Sequence, residues 1–418
     1  MHKIERLLQT LAPKGVEFRK LGEVCEILDN RRIPIAKNKR NPGIYPYYGA
    51  NGIQDYIDSY IFDGDFVLVG EDGSVINKDN TPVVNWASGK IWVNNHAHVL
   101  QTKNELKLKF LYFYLQTIDV SYCVAGTPPK INQENLKKIT IPIPPLEIQQ
   151  EIVKILDAFT ELNTELNTEL NARKKQYQYY QNMLLDFDNI NSNHKDAKIK
   201  TYPKRLKTLL QTLAPKGVEF RKLGDIILSL KTGLNPRKFF KLNTPNANNY
   251  YVTVRELEEY TIKFTHQTDR IDDNALSLCL KRSNLEKDDI LFSGTGTIGK
   301  VSIIKENPNN WAIKEGIYSI KPNKKIVFPR FLMFCFENLN IQNDIKSKSF
   351  GGIVKSISMN DLQQITIPIP PLEIQQEIVK ILDAFTELNT ELNTELKARK
   401  KQYEYYREKL LSFKPLKA

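Results

Sequence analysis

Apolar residues recur at helical spacing over a long stretch in the middle of the chain. Steps of four, three, four, three and four separate Ile148, Ile152, Ile155, Phe159, Leu162 and Leu166. This is the heptad spacing of a helix that packs along one seam. Prolines at positions 144 and 145 suit a helix start, so the pattern predicts one helix from Leu146 to Leu185.

The same spacing returns near the end of the chain and predicts a second helix from Leu372 to Leu411. Two such helices with folded units between them favour an intramolecular antiparallel pair, although a core helix in a larger bundle shows a similar stripe. The predicted seam residues are Ile152, Ile155, Phe159, Leu162 and Leu166 in the first helix, and Ile378, Ile381, Phe385, Leu388 and Leu392 in the second.

Both helices lie within a duplication of the chain. The segment from Ile139 to Leu170, here called the long repeat, recurs unchanged from Ile365 to Leu396. A short repeat from Leu7 to Gly22 recurs unchanged from Leu209 to Gly224. Each half therefore has the order short repeat, variable stretch, long repeat, and each variable stretch is long enough to be a domain.

The variable stretches differ in sequence and echo each other in pattern. Residues 65–70 and 289–294 both predict a strand entering a glycine turn, and residues 110–115 and 331–336 both predict a short buried helix. The halves are therefore expected to share a fold and to present different surfaces. A polar stretch between them, rich in Asn, Asp, Ser and Lys, predicts a connector.

Composition narrows the class of protein. A hydrophobic share of 41% is typical of a folded chain, and no apolar run approaches the roughly 18 residues of a membrane span, so we expect a cytoplasmic protein without a membrane partner. The four cysteines, Cys25, Cys123, Cys279 and Cys335, lie far apart and favour free buried thiols over a disulfide frame or zinc site.

The formal charge of +12 is unevenly distributed. Residues 146–171 and 372–396 each hold one lysine against six acidic residues, a net charge of −5 each, which leaves +22 on the rest. This strong positive charge on the rest of the chain favours binding of a polyanion. A surface rich in lysine and asparagine also arises from base composition alone.

Motifs for catalysis are incomplete. The stretch from Gly294 to Lys300 is close to a P-loop, but Val301 replaces the magnesium-binding hydroxyl and the following residues predict a strand instead of a helix. His96 and His98 are spaced to share one face of a strand, and the sequence indicates no third ligand, which favours a structural or DNA-facing role. We therefore expect no catalytic residue and no bound metal.

Several motifs resemble the specificity subunit of type I restriction-modification enzymes. They are Ile-Pro-Ile-Pro-Pro-Leu-Glu-Ile-Gln-Gln-Glu-Ile at 141–152 and 367–378, Tyr-Tyr-Gly-Ala-Asn-Gly at 47–52, the Asn-Asn-His-Ala-His run at 94–98, and Ser-Gly-Thr-Gly-Thr-Ile-Gly-Lys at 293–300. The resemblance implies an α+β chain with two mixed α/β target recognition domains, two long antiparallel coiled-coil helices and a pseudo-twofold repeat. The expected bounds are 1–140 and 209–366 for the domains, 141–187 and 367–413 for the helices, and 188–208 for a linker.

The resemblance also implies partners. Each domain would bind one half of a split target in double-stranded DNA, and the equal helices would dock two modification subunits, through which restriction subunits join. This chain would bind no cofactor, because S-adenosylmethionine, ATP and magnesium would belong to those subunits. The alternatives are a coiled-coil scaffold that binds proteins only, or an orphan DNA-binding relic without an active complex.

The four-residue unit Thr-Glu-Leu-Asn is repeated from Thr160 to Asn171 and again from Thr386 to Lys397, and this tract suggests a molecular ruler, a segment whose length sets the DNA spacer between the half-sites. One four-residue unit lengthens a helix by about 6 Å and rotates its end by about 40°. One base pair lengthens DNA by about 3.4 Å and rotates it by about 34 to 36°. We expect one four-residue unit to correspond to about one base pair of unread spacer.

Polar and basic residues in predicted loops are the candidates for DNA contact. Basic residues would meet phosphates, and amides, hydroxyls or Arg255 would meet base edges, although a solvated surface explains each one equally well. The candidates are Arg31, Arg32, Lys37, Lys39, Arg40, Asn51, Asn94 and Asn95 in the first half, and Lys231, Arg237, Lys238, Arg255 and Thr295 in the second.

Overall fold

The structure is a computed structural model that describes residues 2–73, 75–187, 202–258 and 260–416. It divides into two compact units: unit 1 comprises Met1–Glu169 and Leu392–Ala418, and unit 2 comprises Leu170–Glu391. Both contain helices and sheets, which confirms the α+β class. No helix of the described residues is long and apolar enough to cross a membrane.

Unit 1 is built on a six-stranded sheet in the order β2-β7-β5-β6-β3-β4, antiparallel except for the β3–β6 pair. Its elements are α1 (His2–Leu11), β1 (Glu17–Lys20), α2 (Leu21–Val24), β2 (Cys25–Ile27), β3 (Pro42–Gly49), β4 (Gly52–Ile57), β5 (Phe62–Gly70), β6 (Val84–Val93), β7 (Ala97–Thr102), α3 (Leu108–Leu115), α4 (Gln133–Lys138), β8 (Thr140–Ile143) and the first part of α5 (Leu146–Leu185).

Unit 2 has a four-stranded sheet of order β10-β18-β15-β16, which corresponds to β2-β7-β5-β6 of unit 1. It also has a three-stranded sheet of order β14-β11-β17. Its elements are α6 (Lys204–Leu213), β9 (Glu219–Lys222), α7 (Leu223–Ile226), β10 (Ile227–Thr232), α8 (Pro236–Phe239), β11 (Asn249–Val252), β12 (Leu257–Glu258), β13 (Thr261–Ile262), β14 (Arg270–Ile271), α9 (Asp273–Ser283), β15 (Ile290–Ser293), β16 (Val301–Ile303), β17 (Trp311–Ile313), β18 (Ile317–Pro322), α10 (Pro329–Cys335), α11 (Leu339–Ser347), α12 (Met359–Gln363), β19 (Thr366–Ile369) and the first part of α13 (Leu372–Leu411).

The two repeats bind each other within each unit. In unit 1, β1 of the short repeat pairs antiparallel with β8 of the long repeat, with Phe18 opposite Pro142. In unit 2, β9 pairs with β19 in the same register, with Phe220 opposite Pro368. The ends of each variable stretch are therefore joined by an identical two-stranded ladder.

One buried glutamine of the long repeat ties the start of each long helix to its unit. The side-chain oxygen of Gln149 accepts a hydrogen bond from the backbone N–H of Lys107 at 2.8 Å, and its amide donates to the carbonyls of Glu105 and Pro144. Gln375 repeats this arrangement with Phe328, Ile326 and Pro370. Each glutamine satisfies three backbone groups that burial would otherwise leave without partners.

The long helices have the bounds predicted from the apolar spacing, Leu146–Leu185 and Leu372–Leu411. In each unit the beginning of one helix lies beside the end of the other. In unit 1, the ring of Phe159 in α5 stacks on Tyr406 of α13 at 5.6 Å between centroids. In unit 2, the ring of Phe385 in α13 stacks on Tyr180 of α5 at 5.2 Å. The N-terminal part of each long helix thus contacts the C-terminal part of the other, which is the antiparallel arrangement that the seam residues predicted.

The seam departs from the prediction inside the Thr-Glu-Leu-Asn tract. Ile152 and Ile378 are fully buried, but Leu162 is 39% exposed, and Leu166, Leu388 and Leu392 are half-buried. A leucine every fourth residue turns about 40° per step around the helix, so successive leucines leave the contact line and approach it again. Leu170 and Leu396, at the end of the tracts, are buried again.

Three predicted segments differ from the structure. The segments expected as helix from 141 and from 367 begin as strands β8 and β19, because their prolines and isoleucines form the ladders with β1 and β9. The linker expected over 188–208 overlaps α6, whose Leu206 and Leu210 bury one face. The remainder of that linker, residues 188–201, lies outside the described residues.

Each unit is held together by apolar cores that include its parts of the long helices. Ile148, Ile152 and Leu156 join Leu410 and Leu411 in the main core of unit 1, and Ile374, Ile378 and Leu382 join Leu184 and Leu185 in that of unit 2. The four cysteines are free and buried, as predicted. Burial raises the pKa of the Cys25 thiol to about 12, which makes it unreactive.

Candidate nucleic-acid interface

In unit 1, a basic segment between β2 and β3 lies against the end of β6. The indole N–H of Trp92 donates to the carbonyl of Ile33 at 2.6 Å, which holds the segment there. Lys37 and Lys39 are exposed on a short 3-10 turn, and the exposed Arg31 places its guanidinium 4.6 Å from the ring centroid of Phe62. These three side chains have the exposure that phosphate contact requires.

Two other predicted phosphate contacts have structural partners instead. Arg32 donates to a carboxylate oxygen of Glu71 at 2.6 Å and to the carbonyl of Ala97 at 2.8 Å. Arg40 pairs with Asp55 at 3.4 Å and covers the ring of Tyr47. Both guanidinium groups are mostly buried, Arg32 beside the partly buried Glu71 and Arg40 beside the more exposed Asp55. Each has a partner within unit 1, and its contact with phosphate stays a prediction.

The asparagines divide in the same way. Asn94 is only 3% exposed, and its side-chain oxygen accepts a hydrogen bond from the backbone N–H of His96. It therefore shapes the turn after β6 and is too buried to meet a base edge as predicted. Asn51, in the turn between β3 and β4, and Asn95, next to the Arg31 segment, are exposed.

A buried charge network lies beneath this surface. His98 is fully buried, with Nδ1 at 2.6 Å from Oδ2 of Asp29 and Nε2 at 2.8 Å from the carbonyl oxygen of Ile131. Oxygen atoms therefore hold the ring from both sides. Arg32 and Lys130 bind Glu71, which adjoins this histidine. His98 thus has the structural role that the sequence favoured.

The same network contains a group of possible metal ligands that the sequence did not indicate, and it includes His98 but not His96. Ligand atoms of Asp29, Glu71 and His98 lie within 4.8 Å of one another, as a metal site would need. However, Arg32 already contacts both carboxylates, and His98 directs both of its nitrogens to oxygen acceptors. The donor set fits an internal salt-bridge network better than a cation site, because the positive charge is supplied by the protein.

The network shifts one ionisation. Burial opposes the charge on Asp29, but the hydrogen bond and charge of His98, the charge of Arg32 and the N–H of Val99 together lower the pKa of its carboxyl. Asp29 therefore stays ionised and holds the loop against β7. His96 pairs with Asp72 at the more exposed rim of the same network.

In unit 2, two of the predicted residues lie at one edge of the four-stranded sheet. Lys231 lies near the end of β10, and the exposed Thr295 follows β15. The hydroxyl of Thr232 accepts from the N–H of Gly316, and that residue also contacts Thr295, so the three strand ends meet. Arg237 and Lys238 lie on the short helix α8, and their side chains lie outside the described part of the structure.

Arg255 has a partner within unit 2. Its guanidinium pairs with Asp269 at 3.1 Å on an exposed surface. A pair this exposed contributes little to stability and can exchange one partner for another. Arg255 is thus accessible for a base or a phosphate, and the predicted role stays a prediction.

One feature at this edge escaped the sequence reasoning. Both units carry an exposed loop whose ends are closed by two backbone hydrogen bonds, between Ala125 and Lys130 in unit 1 and between Phe350 and Ser356 in unit 2. Each loop lies directly beside the turn that follows β5 or β15. Phe350, Ile353 and Val354 are all more than half exposed, and this run of apolar residues was the signal in the sequence.

Comparison with known proteins assigns the repeated architecture. The family model described as type I restriction modification DNA specificity domain matches residues 13–175 and 215–399, once in each half. The chain belongs to the type I restriction-modification specificity family. The resemblance seen in the sequence is thereby confirmed, and each unit holds most of one matched copy of the family's DNA specificity domain.

Relatives of this family match the chain over nearly its whole length. A type I restriction enzyme specificity subunit of Haemophilus influenzae is 34% identical over 98% of both chains. The EcoR124I/EcoR124II specificity subunit of Escherichia coli is 27% identical over 99% of this chain and 97% of that one. The crystal structure of a type I restriction-modification system S subunit from M. genitalium has the same fold, with a TM-score of 0.61 and 18% identity over 95% of this chain and 96% of that one.

Proposed function

We propose that this chain directs a type I restriction-modification complex to a bipartite, asymmetric DNA target. Unit 1 binds one half-site and unit 2 binds the other. The proposal rests on one observation: the two units have the same two-stranded ladder at their base but different loops at the sheet edge that would contact DNA. The β1–β8 and β9–β19 ladders match residue for residue, whereas the loops above the two sheets differ in length and charge.

Duplex DNA is the polyanion that suits both edges. Unit 1 presents Arg31, Lys37 and Lys39 with their charges exposed, and unit 2 presents Lys300 and Lys355 beside Thr295. Exposed lysine and arginine replace counterions along the phosphate backbone, which gives affinity without sequence preference. Asn51, Asn95 and Thr295 are also exposed on these units and can contact base edges.

Two copies of one modification subunit dock on the long helices in this proposal. The long repeat has the same sequence in both units, and several charged positions are exposed in both copies: Lys154 corresponds to Lys380, and Glu161 to Glu387. Equal surfaces bind equal partners, so a complex of one specificity subunit with two modification subunits is expected. Restriction subunits join through them.

The chemistry of the complex belongs to those partners. S-adenosylmethionine binds the modification subunits, and ATP and magnesium bind within the assembled complex. The near-P-loop of unit 2 supports this division of labour. The N–H groups of all three of its glycines are occupied, because Gly294 donates to Gly316, Gly296 to Lys355 and Gly299 to Ser293. These three N–H groups are therefore not available to a phosphate.

Co-expression with the modification subunit of the same system tests the proposal. Native mass spectrometry should give a complex of one chain with two modification subunits, and sequencing of methylated adenines should give one split motif. DNA from cells that express the modification subunit alone is the control. A chain that remains alone, or methylation without a split motif, would favour the scaffold or relic alternatives.

A further inference from the structure

The closed loop of unit 2 carries an apolar tip that is left uncovered by the described residues of the chain. Six consecutive residues from Phe350 to Lys355 are exposed, and three of them are large and apolar. Ile353 is 105% exposed, which is the exposure of an isolated side chain, and Phe350 and Val354 exceed 50%. Exposure of neighbouring large apolar residues is a feature of binding surfaces rather than of a solvated turn.

The base of this loop is fixed. Backbone hydrogen bonds of 2.8 Å run in both directions between Phe350 and Ser356, and Gly296 donates to the carbonyl of Lys355. The N–H of Ile357 donates to the carbonyl of Gly294 at 2.9 Å, which ties the loop to the end of β15. The tip is therefore presented on a stable stem next to Thr295, so it needs little further ordering when it binds.

One glycine gives the tip its shape. Gly351 has a φ of +105°, and a Cβ there would lie 2.4 Å from the carbonyl oxygen of Val354. The chain can turn this sharply only at glycine. The turn directs the Ile353 and Val354 side chains away from the unit, because their relative exposures leave no internal neighbour to cover them.

The surroundings of the tip are cationic. Lys300, Lys346 and Lys355 are exposed, and Lys348 pairs with Asp344. Residues 294–300 and 344–358 together hold four lysines and one aspartate, a net charge of +3. An apolar point among lysines complements duplex DNA, whose phosphates lie outside and whose stacked bases lie inside.

We propose that Ile353 and Val354 form a wedge that enters the duplex at one base step of the half-site bound by unit 2. The lysines hold the phosphates on either side, and the two apolar side chains replace part of the stacking between adjacent base pairs. The half-site then bends at that step, and flexible pyrimidine–purine steps are preferred there. This inference rests on the proposed DNA-binding function and adds how unit 2 deforms its half-site.

The corresponding loop of unit 1 offers an internal comparison. It has the same stem, with hydrogen bonds between Ala125 and Lys130, and Ile131 donating to Glu71. Its tip contains Pro128 and Pro129, but Glu71 and Asp72 lie at its base where unit 2 has Gly294 and Thr295. The wedge is thus assigned to one half-site only, because acidic residues disfavour close approach of phosphates in unit 1.

The test uses the full chain, alone and with its modification subunits, and a duplex selected from a random pool by the wild-type protein. The adenine analogue 2-aminopurine, whose fluorescence rises when it unstacks, is placed at each step of the selected site in turn. Three proteins are compared: wild type, the double variant Ile353→Ser/Val354→Ser, and the control Leu339→Ser. Leu339 is also exposed in unit 2 but lies at the far end of α11 from the loop.

Wild type and control should raise the fluorescence at one step in the unit 2 half-site. The double variant should lose this rise and bind the selected duplex about tenfold more weakly, while it melts at the same temperature and binds random duplex as before. Equal affinity and equal fluorescence for the double variant would overturn the wedge and leave the proposed function intact. Loss of the modification subunit from the variant, with DNA binding unchanged, would also overturn it, in favour of a protein contact. Failure of the wild type to bind any duplex would overturn both proposals.

Discussion

Nδ1 of the fully buried His98 lies 2.6 Å from Oδ2 of Asp29. This contact joins β7 to the segment that carries the exposed Arg31, since Asp29 also accepts from the backbone N–H of Val99. The orientation of the basic surface of unit 1 thus depends on a charge pair inside the domain.

Replacing Asp29 by Asn should destabilise unit 1 by about 3 kcal/mol at neutral pH, because the buried His98 loses its nearest carboxylate and Arg32 keeps only Glu71 as an ion-pair partner. The pKa of Asp29 is lowered from 3.8 in the folded state. Its stabilisation is therefore complete above that value and is lost as the pH falls through the lower folded pKa. Urea unfolding of unit 1 at several pH values, followed by the fluorescence of Trp86 and Trp92 in a Trp311→Phe background, measures both effects. The exposed Asp58→Asn variant should match the parent, and equal stability of Asp29→Asn would contradict the prediction.

Glu337 in unit 2 should give the opposite pH dependence. Burial raises the pKa of its carboxyl above 4.5, although hydrogen bonds from Tyr260 and Gln181 act against that shift. Between 4.5 and the raised folded pKa the folded state binds more protons than the unfolded state, so stability falls as pH rises through this window. Glu337→Gln should remove this fall. Unfolding followed by Trp311 fluorescence in a Trp86→Phe/Trp92→Phe background tests it, with the exposed Glu306→Gln as control, and an unchanged profile would count against it.

The two buried glutamines should be equally important, each for its own unit. Gln149→Leu leaves the N–H of Lys107 and the carbonyls of Glu105 and Pro144 without partners, which should cost unit 1 about 2 to 4 kcal/mol. Gln375→Leu should cost unit 2 a similar amount. Unit-specific tryptophan fluorescence separates the two transitions, and the neighbouring Gln150→Leu, at an exposed position, is the matched control. Destabilisation of the wrong unit would show that the contact is misassigned.

Phosphate contact by Lys37 and Lys39 predicts a change in salt dependence. The double substitution to Ala should weaken binding to every duplex and reduce the slope of log affinity against log salt by about 2. Titrations at several salt concentrations with selected and random duplexes measure this slope. A double substitution of Lys78 and Lys103 to Ala, outside the basic segment, is the comparison. A change in the selected sequence with an unchanged slope would assign these lysines to base recognition.

The Thr-Glu-Leu-Asn tract predicts a change of target. Helix α5 runs unbroken through its tract, so deletion of residues 164–167 together with 390–393 should shorten each long helix by about 6 Å and turn it by about 40°. Methylation mapping should then return the same two half-sites with about one base pair less between them. An unchanged spacer would end the ruler hypothesis, and altered half-sites would indicate damage to the units themselves.

The sequence predicted the long helices, but it did not predict which polar side chains are exposed. The ends of α5 and α13 followed from heptad spacing and from prolines, since both act within a few residues along the chain. Arg32, Arg40 and Asn94 had the composition of a DNA contact, but their partners Glu71, Asp55 and Gln54 come from distant strands. Sequence reasoning could not distinguish a guanidinium on the surface from one that neutralises a buried carboxylate.

The closed loop of unit 2 shows that the exposure of apolar residues could not be predicted from the sequence either. The run from Phe350 to Val354 contains the residues of a core strand, with two glycines that suit a turn. Only the hydrogen bonds between Phe350 and Ser356 reveal that it projects from the unit. The sequence held the apolar signal, but its meaning depended on exposure, which is a property of the folded chain.

The ladder between the two repeats gives each unit the properties of an exchangeable cassette. Since β1 pairs only with β8, and β9 with β19, the residues that enter and leave a variable stretch meet at a fixed junction whatever lies between them. Genetic exchange within the repeats would therefore transfer an entire binding specificity and restore the same junction in its new host. A bacterium with several such genes could acquire a new target by one crossover, without evolving a new docking surface for the enzyme.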